Sequence, residues 1–466
     1  MNIRPIGQQK EVMALPAQGH VVVLGTAGSG KTTIALLRAH HLSLMPGGGN
    51  VLLVTFNGAL VKYMQAMNDN LTKRLVVENY HKFARGYLES RGKMPLRNGV
   101  AGPDKKEYFI RQSVEFLRNK YPAESTFKRP IEFFVEEITF MERFGLISLE
   151  KYRDAERIGR ASANVKRENR KWIFDVYEQY LKLRTDSGQM YDWDDLAYYV
   201  FDELQKDSSE RRYTHIIVDE GQDFSPMMIK SLIAAVAAGG SFTFFGDVAQ
   251  QIYGSRLSWR DSGIDVSKIW RFDVNYRNPA TIMEFAKAIT QNKYWKKDRD
   301  MIPATAQIAI GPKPILVEFP DKQREIDWIV ERADAIGKTA STVIVCRNRA
   351  DIEPLKRALK EKGCNAKELN KETPGFAHVK QVYLATYHAA KGLEFDHVFI
   401  PFLTADKLPD PDIVSKKISK EEAYADEIKL LYVAATRSKF GLYMTYSGTL
   451  SPLFPKESQS YDFWHL

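Results

Sequence analysis

The stretch VVVLGTAGSGKTTIALLRAHHL at residues 21–42 decides the fold of this chain. Its apolar start is typical of a buried strand, and a glycine-rich turn and a helical pattern follow. In such a strand-loop-helix unit, backbone N–H groups at the start of the helix surround phosphate oxygens. The segment therefore predicts a phosphate-binding loop. A purely structural glycine turn is the alternative, and the flanking strand and helix argue against it.

The residue types in this loop indicate how a nucleotide would be held. Lys31 supplies a point charge to the outer phosphates, and the Thr32 hydroxyl is a ligand for Mg²⁺. The predicted ATP contacts of the loop are Gly25, Thr26, Ala27, Gly28, Ser29, Gly30, Lys31, Thr32 and Thr33.

Short β-branched or aromatic runs recur along the chain and alternate with helical patterns, which favours an α/β fold with mostly parallel sheets. These runs lie at 21–24, 51–56, 215–218, 242–245, 342–346, 382–386 and 397–401. The stretch 91–187 differs, because it has few strand runs and long charged amphipathic patterns. We therefore expect a first lobe at 1–90 and 188–275, a helical insertion at 91–187 and a second lobe at 276–466. The tail from Ser451 reads as a loop.

Composition narrows the class of protein further. The 466 residues are 44% apolar and 27% charged, so the chain is globular. We find no run of 18 apolar residues and no apolar leader at the start, so we expect a cytoplasmic protein without a membrane segment. Cys346 and Cys364 are too few for a disulfide framework. The net charge of +9 and the pI near 9.1 favour a polyanionic partner.

A second acidic site is expected beside the phosphate loop. The run HIIVDEGQD at 215–223 is an apolar strand that ends in paired carboxylates. Asp219 can hold Mg²⁺, and Glu220 can orient and deprotonate an attacking water. An Asp-Glu pair after a strand is also common in solvated loops, but the phosphate loop favours the catalytic interpretation.

With these motifs in hand, the chain resembles the UvrD/Rep/PcrA family of superfamily 1 DNA helicases, with the matches in family order along most of the sequence. The matching segments are QQKEV (8–12), TFNGALVKYM (55–64), ENYHKFA (78–84), YDWDDLA (191–197), GDVAQQIYG (246–254), VNYRNP (274–279), TYHAAKGLEFDHVFIP (386–401) and EIKLLYVAATRSK (427–439). The resemblance implies two RecA-like P-loop NTPase lobes with the helical insertion in the first, and ATP and Mg²⁺ as ligands.

The resemblance also implies roles for single residues. Gln250 would sense the γ-phosphate, and Arg277 and Arg437 would stabilise the transferring phosphoryl group as arginine fingers. Gln9 and Tyr276 would meet the adenine, and Glu394 the ribose. The implied DNA contacts are Phe56, His81, Tyr253, Thr386 and His388. For the aromatic residues among these, a place in the core remains the alternative.

Three features depart from the family pattern. Ser255 stands where close relatives carry a tryptophan, with Trp259 four residues later, and Thr33 replaces a frequent arginine. Only 108 residues lie between Arg277 and Thr386, which leaves no room for the large second insertion of the family's long members.

The densest basic run lies in the predicted insertion. Residues 151–172 carry eight Lys/Arg against three Asp/Glu at helical spacing. The run is either a solvated helix face or a surface that follows nucleic-acid phosphates.

Two functions stay open at this point. The first is an ATP-dependent 3′-to-5′ helicase or translocase that acts on single-stranded DNA and on single/double-strand junctions. The second is a DNA-stimulated ATPase subunit or sensor of a nuclease or phage-defence complex, with a nuclease as a protein partner and little unwinding of its own. A nucleotide-gated binding module that does not cycle is disfavoured by the full set of carboxylates and arginines.

Overall fold

The structure, a computed structural model, describes residues 5–56, 61, 72–95, 99–156, 165–247, 262–265, 268–295, 306–307, 311–369, 379–416, 419–456 and 458–466. The strands in chain order are β1 (Gly19–Gly25), β2 (Val51–Thr55), β3 (Leu75–Asn79), β4 (Val100–Ala101), β5 (Tyr191–Asp192), β6 (Tyr213–Val218), β7 (Val236–Gly246), β8 (Ile269–Phe272), β9 (Val274–Asn275), β10 (Ala306–Gln307), β11 (Ile315–Phe319), β12 (Thr342–Cys346), β13 (Lys367–Glu368), β14 (Val382–Thr386), β15 (Phe395–Ile400), β16 (Ser438–Ser447) and β17 (Asp462–His465). The helices are α1 (Gln8–Met13), α2 (Lys31–Leu44), α3 (Tyr80–Ser90), α4 (Pro103–Lys120), α5 (Ile131–Phe144), α6 (Leu149–Asp154), α7 (Arg170–Asp186), α8 (Leu196–Lys206), α9 (Pro226–Ala234), α10 (Ala280–Thr290), α11 (Lys322–Gly337), α12 (Ile352–Glu361), α13 (Pro411–Lys416) and α14 (Lys420–Ala435).

The first sheet holds the phosphate loop. Among the described residues its strand order is β3-β2-β6-β7-β1-β8, and every neighbouring pair is parallel. Strand β2 is buried along its whole length, because helices cover both faces of the sheet. This explains why the strand reads as a continuous apolar run instead of an alternating one.

The second sheet is also parallel, in the order β13-β14-β12-β15-β16-β11-β17 among the described residues. Its interior strand β12 is buried throughout, and apolar clusters cover both of its faces. The predicted α/β class with two parallel-sheet lobes is therefore confirmed.

The expectation of a loop after Ser451 is wrong at its end. Strand β17 pairs in parallel with β11, with Asp462 opposite Ile315. The four residues of β17 are all exposed, so no buried alternation marks the strand in the sequence. Backbone pairing to an existing sheet edge forms it instead.

The helical stretch between β4 and β5 has its own apolar core. Ile110, Phe134, Ile138 and Ile173 are fully buried there, and each contributes about 1.5–3 kcal/mol through burial. The chain enters and leaves this stretch at neighbouring points, because β4 pairs with β5. We keep the boundaries at residues 90, 187 and 275 as a proposal.

The candidate site residues follow the carboxyl ends of the central strands in the first sheet. Strands β1, β6 and β7 end at Gly25, Val218 and Gly246, and the phosphate loop, the acidic pair and Asp247 come next. Ligands of open parallel sheets bind at this edge, so the topology gathers these segments in one place.

Candidate functional site

The phosphate loop is closed by glycines in left-handed backbone conformations. Gly28 has φ 71° and Gly30, directly before α2, has φ 83°. A β-carbon on Gly28 would lie 2.3 Å from the Asn275 side-chain oxygen, so both conformation and space require glycine. The backbone N–H of Tyr276 donates to the Gly28 carbonyl at 2.9 Å. The segment that leads to the second sheet therefore lies directly against the loop.

The side chain of Lys31 is buried and folds back against the phosphate loop. Its Nζ atom donates to the carbonyl oxygens of Gly25 and Thr26 at 2.9 and 2.7 Å. The carboxylate of Asp247 lies 3.6 Å away. These partners fix the ammonium group within the loop, and its contact with the outer phosphates remains a prediction.

Asp219 is a fully buried carboxylate beside the loop. Neither of its oxygens has a hydrogen-bond partner of ordinary geometry in the described part of the chain, although the Thr32 hydroxyl and the Glu220 backbone N–H lie near enough to oppose the rise of its pKa. Burial, and then the charge of Glu220, raise the pKa of Asp219 to about 7. A buried carboxylate with two open oxygens fits a hard divalent cation, which prefers oxygen ligands. Together with the Thr32 hydroxyl, Asp219 could hold Mg²⁺.

Glu220 adopts a backbone conformation that is costly for a residue with a side chain. Its φ of 53° and ψ of 39° are left-handed, at a cost of about 1–3 kcal/mol. Burial raises the pKa of Glu220, but positive charges outweigh burial and leave that pKa below its ordinary value. These charges belong, in order of effect, to Lys391, Lys31 and Arg437. The carboxylate is therefore ionised and able to accept a proton.

Gln222 fixes the carboxylate of Glu220. Its side-chain amide donates to Glu220 and accepts from the Asp247 backbone N–H at 2.8 Å. One side chain thus joins the acidic pair to the segment after β7.

The two arginines come from outside the first sheet, since Arg277 follows β9 and Arg437 directly precedes β16 of the second sheet. Arg277 forms an ion pair with Glu394. Arg437 is buried and donates to the Val433 carbonyl at 2.8 Å. Burial, and then the like charge of Arg277, lower the pKa of Arg437 to about 10. The carboxylates that oppose this shift belong to Glu220, Glu394 and Asp247.

Two asparagines hold the arginine segments in place. The Asn275 side chain accepts hydrogen bonds from the backbone N–H groups of Arg277 and Asn278 at 2.8 and 2.9 Å. Asn278 in turn donates to the carbonyls of Thr436 and Ser438, on both sides of Arg437. The segments that carry the two arginines are therefore bonded to each other.

A second contact between the sheets was not predicted from the sequence. The Nζ atom of Lys391 lies 2.5 Å from the Asp223 carboxylate, and both side chains are buried. Lys391 belongs to the quoted KGLEF segment, but its partner lies 168 positions away in the chain. Burial raises the pKa of Asp223 to about 7, although Lys391 opposes the shift.

Gln9 lies beside the loop as the resemblance implies. Its side-chain amide donates to the Ser29 carbonyl at 3.0 Å, and its oxygen accepts from the Ile6 backbone. Thr32 and Thr33 are half-buried in the first turn of α2. The predicted ATP contacts among the described residues therefore surround one loop, and their roles remain a prediction.

The predicted DNA contacts of the first sheet form an aromatic group. The rings of Phe56 and His81 lie 5.5 Å apart at 68°. Trp193 extends this group, with its ring 5.0 Å from His81 at 84°. Trp193 was not singled out from the sequence, although it stands in the quoted YDWDDLA segment and an aromatic residue between carboxylates was its only signal.

The predicted DNA contacts of the second sheet are Thr386, the last residue of β14, and His388, two residues further on. The Thr386 hydroxyl accepts from the Ala389 backbone N–H at 3.2 Å. Burial, and then the charges of Arg347 and Lys391, lower the pKa of His388 to about 4. His388 is therefore neutral at pH 7. Gln250, Tyr253, Ser255 and Trp259 lie outside the described residues.

The basic run at 151–172 divides into two kinds of residue. Arg170 is buried and donates to the carbonyls of Tyr152, Arg153 and Ala155, so this arginine is structural. The side chains of Lys151, Lys166 and Lys171 are exposed. Residues 157–164 lie outside the described part of the chain.

Within the described ranges, no helix has the length and apolar character needed to cross a membrane.

Family models match almost the whole chain. The model of the UvrD/REP helicase N-terminal domain matches residues 7–276. The model of the UvrD-like helicase C-terminal domain matches residues 270–373 and 364–449.

Curated proteins from several bacteria are similar over most of their length. A probable DNA helicase of Mycoplasma pneumoniae is 21% identical and aligns over 94% of this chain and 83% of its own. The ATP-dependent DNA helicase UvrD2 of Mycobacterium tuberculosis is 22% identical, over 96% and 79%. DNA helicase IV of Escherichia coli is 22% identical, over 98% and 69%.

Proposed function

The chain belongs to the UvrD/Rep family of DNA helicases, which are ATP-hydrolysing enzymes, and we propose that it uses ATP to move 3′ to 5′ along single-stranded DNA. One observation carries the proposal. The Glu220 carboxylate, which follows the first sheet, interacts electrostatically with Arg437 directly before β16 of the second sheet, and Arg437 lies close enough to Arg277 for their like charges to interact. Hydrolysis at a junction between two lobes can drive one lobe relative to the other.

The phosphate loop and its neighbours would bind ATP. Gln9 lies beside the loop with an amide suited to an adenine edge. Tyr276, whose backbone contacts Gly28, would stack on the base. Glu394 would meet the ribose, and in the structure its carboxylate pairs with Arg277.

Glu220 would act as the general base. Its low pKa keeps it ionised at pH 7, and Gln222 fixes its orientation. Arg277 and Arg437 would stabilise the charge that develops on the transferring phosphoryl group. Thr32 and Asp219 would hold Mg²⁺, which neutralises phosphate charge when bound. Gln250 would couple the presence of the γ-phosphate to the residues that contact the DNA strand.

The aromatic group would grip the DNA strand. Stacking on aromatic rings is worth about 1–3 kcal/mol per base and tolerates any sequence. Phe56, His81 and Trp193 offer such rings on the first lobe, and Tyr253 would add to them. Thr386 and His388 would contact the strand from the second lobe. Two grips whose spacing changes with hydrolysis are sufficient for movement.

Strand separation demands more than movement. Opening each base-pair step costs on the order of 1.4 kcal/mol, so the duplex must be held while the motor advances. The short segment between Arg277 and Thr386 and the serine at position 255 argue for a weak duplex grip. We therefore propose robust translocation with weak unwinding of long duplexes by the chain alone.

A second candidate rests on the same short segment. A chain with a reduced duplex grip is also suited to serve as a DNA-stimulated ATPase subunit of a larger complex, such as one with a nuclease. In that case ATP hydrolysis would respond to DNA without displacement of a strand or of a bound protein.

Displacement of streptavidin from end-biotinylated single strands tests the proposed movement and its direction. We expect ATP-dependent displacement of streptavidin from the 3′ end of a biotinylated single strand to be slow, and displacement from the 5′ end to be fast, because a 3′-to-5′ motor runs towards the 5′ end. Glu220→Gln is the control that should abolish both. Faster displacement from the 3′ end would overturn the polarity. DNA-stimulated hydrolysis without any displacement would favour the second candidate.

A further inference from the structure

The turn that carries Trp193 is closed by its own carboxylates. Asp192 accepts hydrogen bonds from the backbone N–H groups of Asp194 and Asp195 at 2.7 and 3.1 Å. Asp195 accepts from the Asp192 N–H at 2.8 Å. Trp193 stands in the middle of this turn with its ring against His81. The backbone beneath the indole is therefore set by two carboxylates.

Cations from the helical insertion hold these carboxylates. Lys106, on α4, lies 2.8 Å from Asp194 and 3.3 Å from Asp192. Arg184, on α7, lies 2.6 Å from Asp195 and 3.2 Å from Asp192.

A third cation comes from the end of α5, where Arg143 lies 2.8 Å from Asp194. Three helices of the insertion thus converge on the turn, each with one basic side chain. Lys106 and Arg143 are far from the turn in the sequence, so only the fold brings them there. Arg184 is closer to the turn along the chain.

The carboxylates of the turn, Glu142 and the three cations form a cluster of mostly buried charges. This cluster leaves no room for a metal ion. Oxygens of Glu142, Asp192 and Asp194 lie within 4.8 Å of one another, as the ligands of a cation would. The Lys106 ammonium occupies the place between them, since its Nζ lies 2.5 Å from Glu142 as well as close to both aspartates. The lysine is therefore the cation of this site.

Burial makes the geometry of this cluster strict. Lys106, Arg184, Asp192 and Asp195 are at most 5% exposed. Buried ion pairs add little net stability, because desolvation offsets their attraction, but removal of one partner leaves a charge stranded. Burial, and then the charge of Asp192, raise the pKa of Asp195 to about 7, while the Arg184 guanidinium opposes the shift.

We propose that the helical insertion positions Trp193 for the DNA strand through Lys106, Arg143 and Arg184. The insertion then acts on strand affinity from inside the protein, apart from any contact of its own surface with DNA. This inference rests on the proposed function, since it needs Trp193 to be a base-stacking residue.

A double-mutant cycle tests the proposal in the full chain. The variants are Lys106→Met, Trp193→Ala and the pair, and the probe is a fluorescein-labelled oligothymidylate. We expect Lys106→Met to raise the Kd for this probe by about 5-fold to 100-fold, within the value of one stacked base. ATP hydrolysis without DNA should stay within twofold. Lys106→Met should add nothing in the Trp193→Ala background, because both changes remove the same contact.

Matched controls separate the possible failures. Lys105→Met makes the same change at the neighbouring exposed position and should leave the Kd unchanged. If Lys106→Met does not fold, Arg143→Gln replaces it in the cycle, since that side chain is 30% exposed and contacts Asp194 alone among the turn carboxylates. Arg143→Lys should then restore the Kd.

The outcomes distinguish the positioning inference from the proposed base-stacking role of Trp193, on which it rests. If Trp193→Ala alone leaves the Kd unchanged, the proposed base-stacking role of Trp193 is wrong. If Trp193→Ala weakens binding but Lys106→Met does not, or if the two effects add, the stacking role stands and the positioning inference is overturned.

Discussion

Lys391 and Asp223 form a buried ion pair that joins the second parallel sheet to the segment after Glu220. The lysine is 2% exposed and the aspartate 3%, so each charge depends on the other for compensation. The same lysine is the strongest positive influence on Glu220. A single side chain thus both connects the lobes and tunes the candidate base.

Lys391→Met should strand the Asp223 charge and destabilise the chain by about 3–5 kcal/mol. The pKa of Asp223 is already raised to about 7, so protonation relieves the stranded charge. A carboxyl whose folded pKa is raised stabilises the fold at low pH and loses that contribution as pH rises. We therefore expect the loss in melting temperature to be larger at pH 8 than at pH 6. The double variant with Asp223→Asn should recover part of it, and equal losses at both pH values would contradict the account.

Lys31→Ala and Glu220→Gln should impair ATP hydrolysis in different ways. Lys31 would contact phosphate in both the ground and the transition state, so its loss should raise KM and lower kcat. Glu220→Gln keeps size and shape, so it should bind ATP while kcat falls by about 10²–10⁴. Nucleotide affinity measured by calorimetry, together with kcat, separates the two. Parental turnover by Glu220→Gln would refute the general-base assignment.

Arg437→Lys should lower kcat by about a thousandfold, as the loss of an arginine finger does. The guanidinium donates in fixed directions to Val433 and Thr436, and an ammonium cannot reproduce this geometry. Steady-state kinetics with saturating DNA measures the effect. Arg324→Lys, at a position 70% exposed, is the control and should hydrolyse ATP normally.

Phe56→Ala should weaken the binding of single-stranded DNA by about 5-fold to 150-fold, the value of one stacked base. Phe56 contacts His81 and Phe224 edge-on, so its ring is fixed in place. Fluorescence anisotropy with oligothymidylate gives the Kd. Phe440→Ala removes an exposed ring on the second sheet and should change nothing. Equal effects of the two variants would mean that the binding surface is misplaced.

His388 should make the fold sensitive to acid. Its pKa is lowered to about 4, so the folded chain holds it neutral where an unfolded chain would protonate it. Such a group stabilises the fold above its ordinary pKa of 6.5 and loses that contribution as pH falls towards 4. The drop in melting temperature between pH 7 and pH 4.5 should be smaller in His388→Gln than in the parent. Parallel profiles of the two proteins would contradict the prediction.

The fold was largely predictable because its decisive signals are local. The strand, glycine loop and helix at 21–42 specify one βα unit by themselves, and other buried strands repeat the apolar pattern. Strand β17 escaped prediction, since its pairing with β11 depends on a sheet formed elsewhere in the chain.

The residues of the candidate site also divide into those with a local signal in the sequence and those without one. Lys31, Asp219 and Glu220 stand in short motifs whose chemistry can be read from adjacent residues. Lys391 and Lys106 stand beside partners that are remote in the sequence, and no spacing rule connects them. The basic run at 151–172 shows the converse, because a charge count could not tell that Arg170 points inward to backbone carbonyls.

The pairing of β4 with β5 has a consequence for how the length of the chain between them can change in evolution. Val100 and Tyr191 lie side by side in a separate two-stranded sheet, so the chain leaves for the helical stretch and returns from it at neighbouring points. Residues can be gained or lost inside that loop of chain without any shift in the strands that carry the phosphate loop. The phosphate loop and its neighbours can thus stay constant while the helical stretch changes, provided that three basic side chains remain to contact the turn around Trp193.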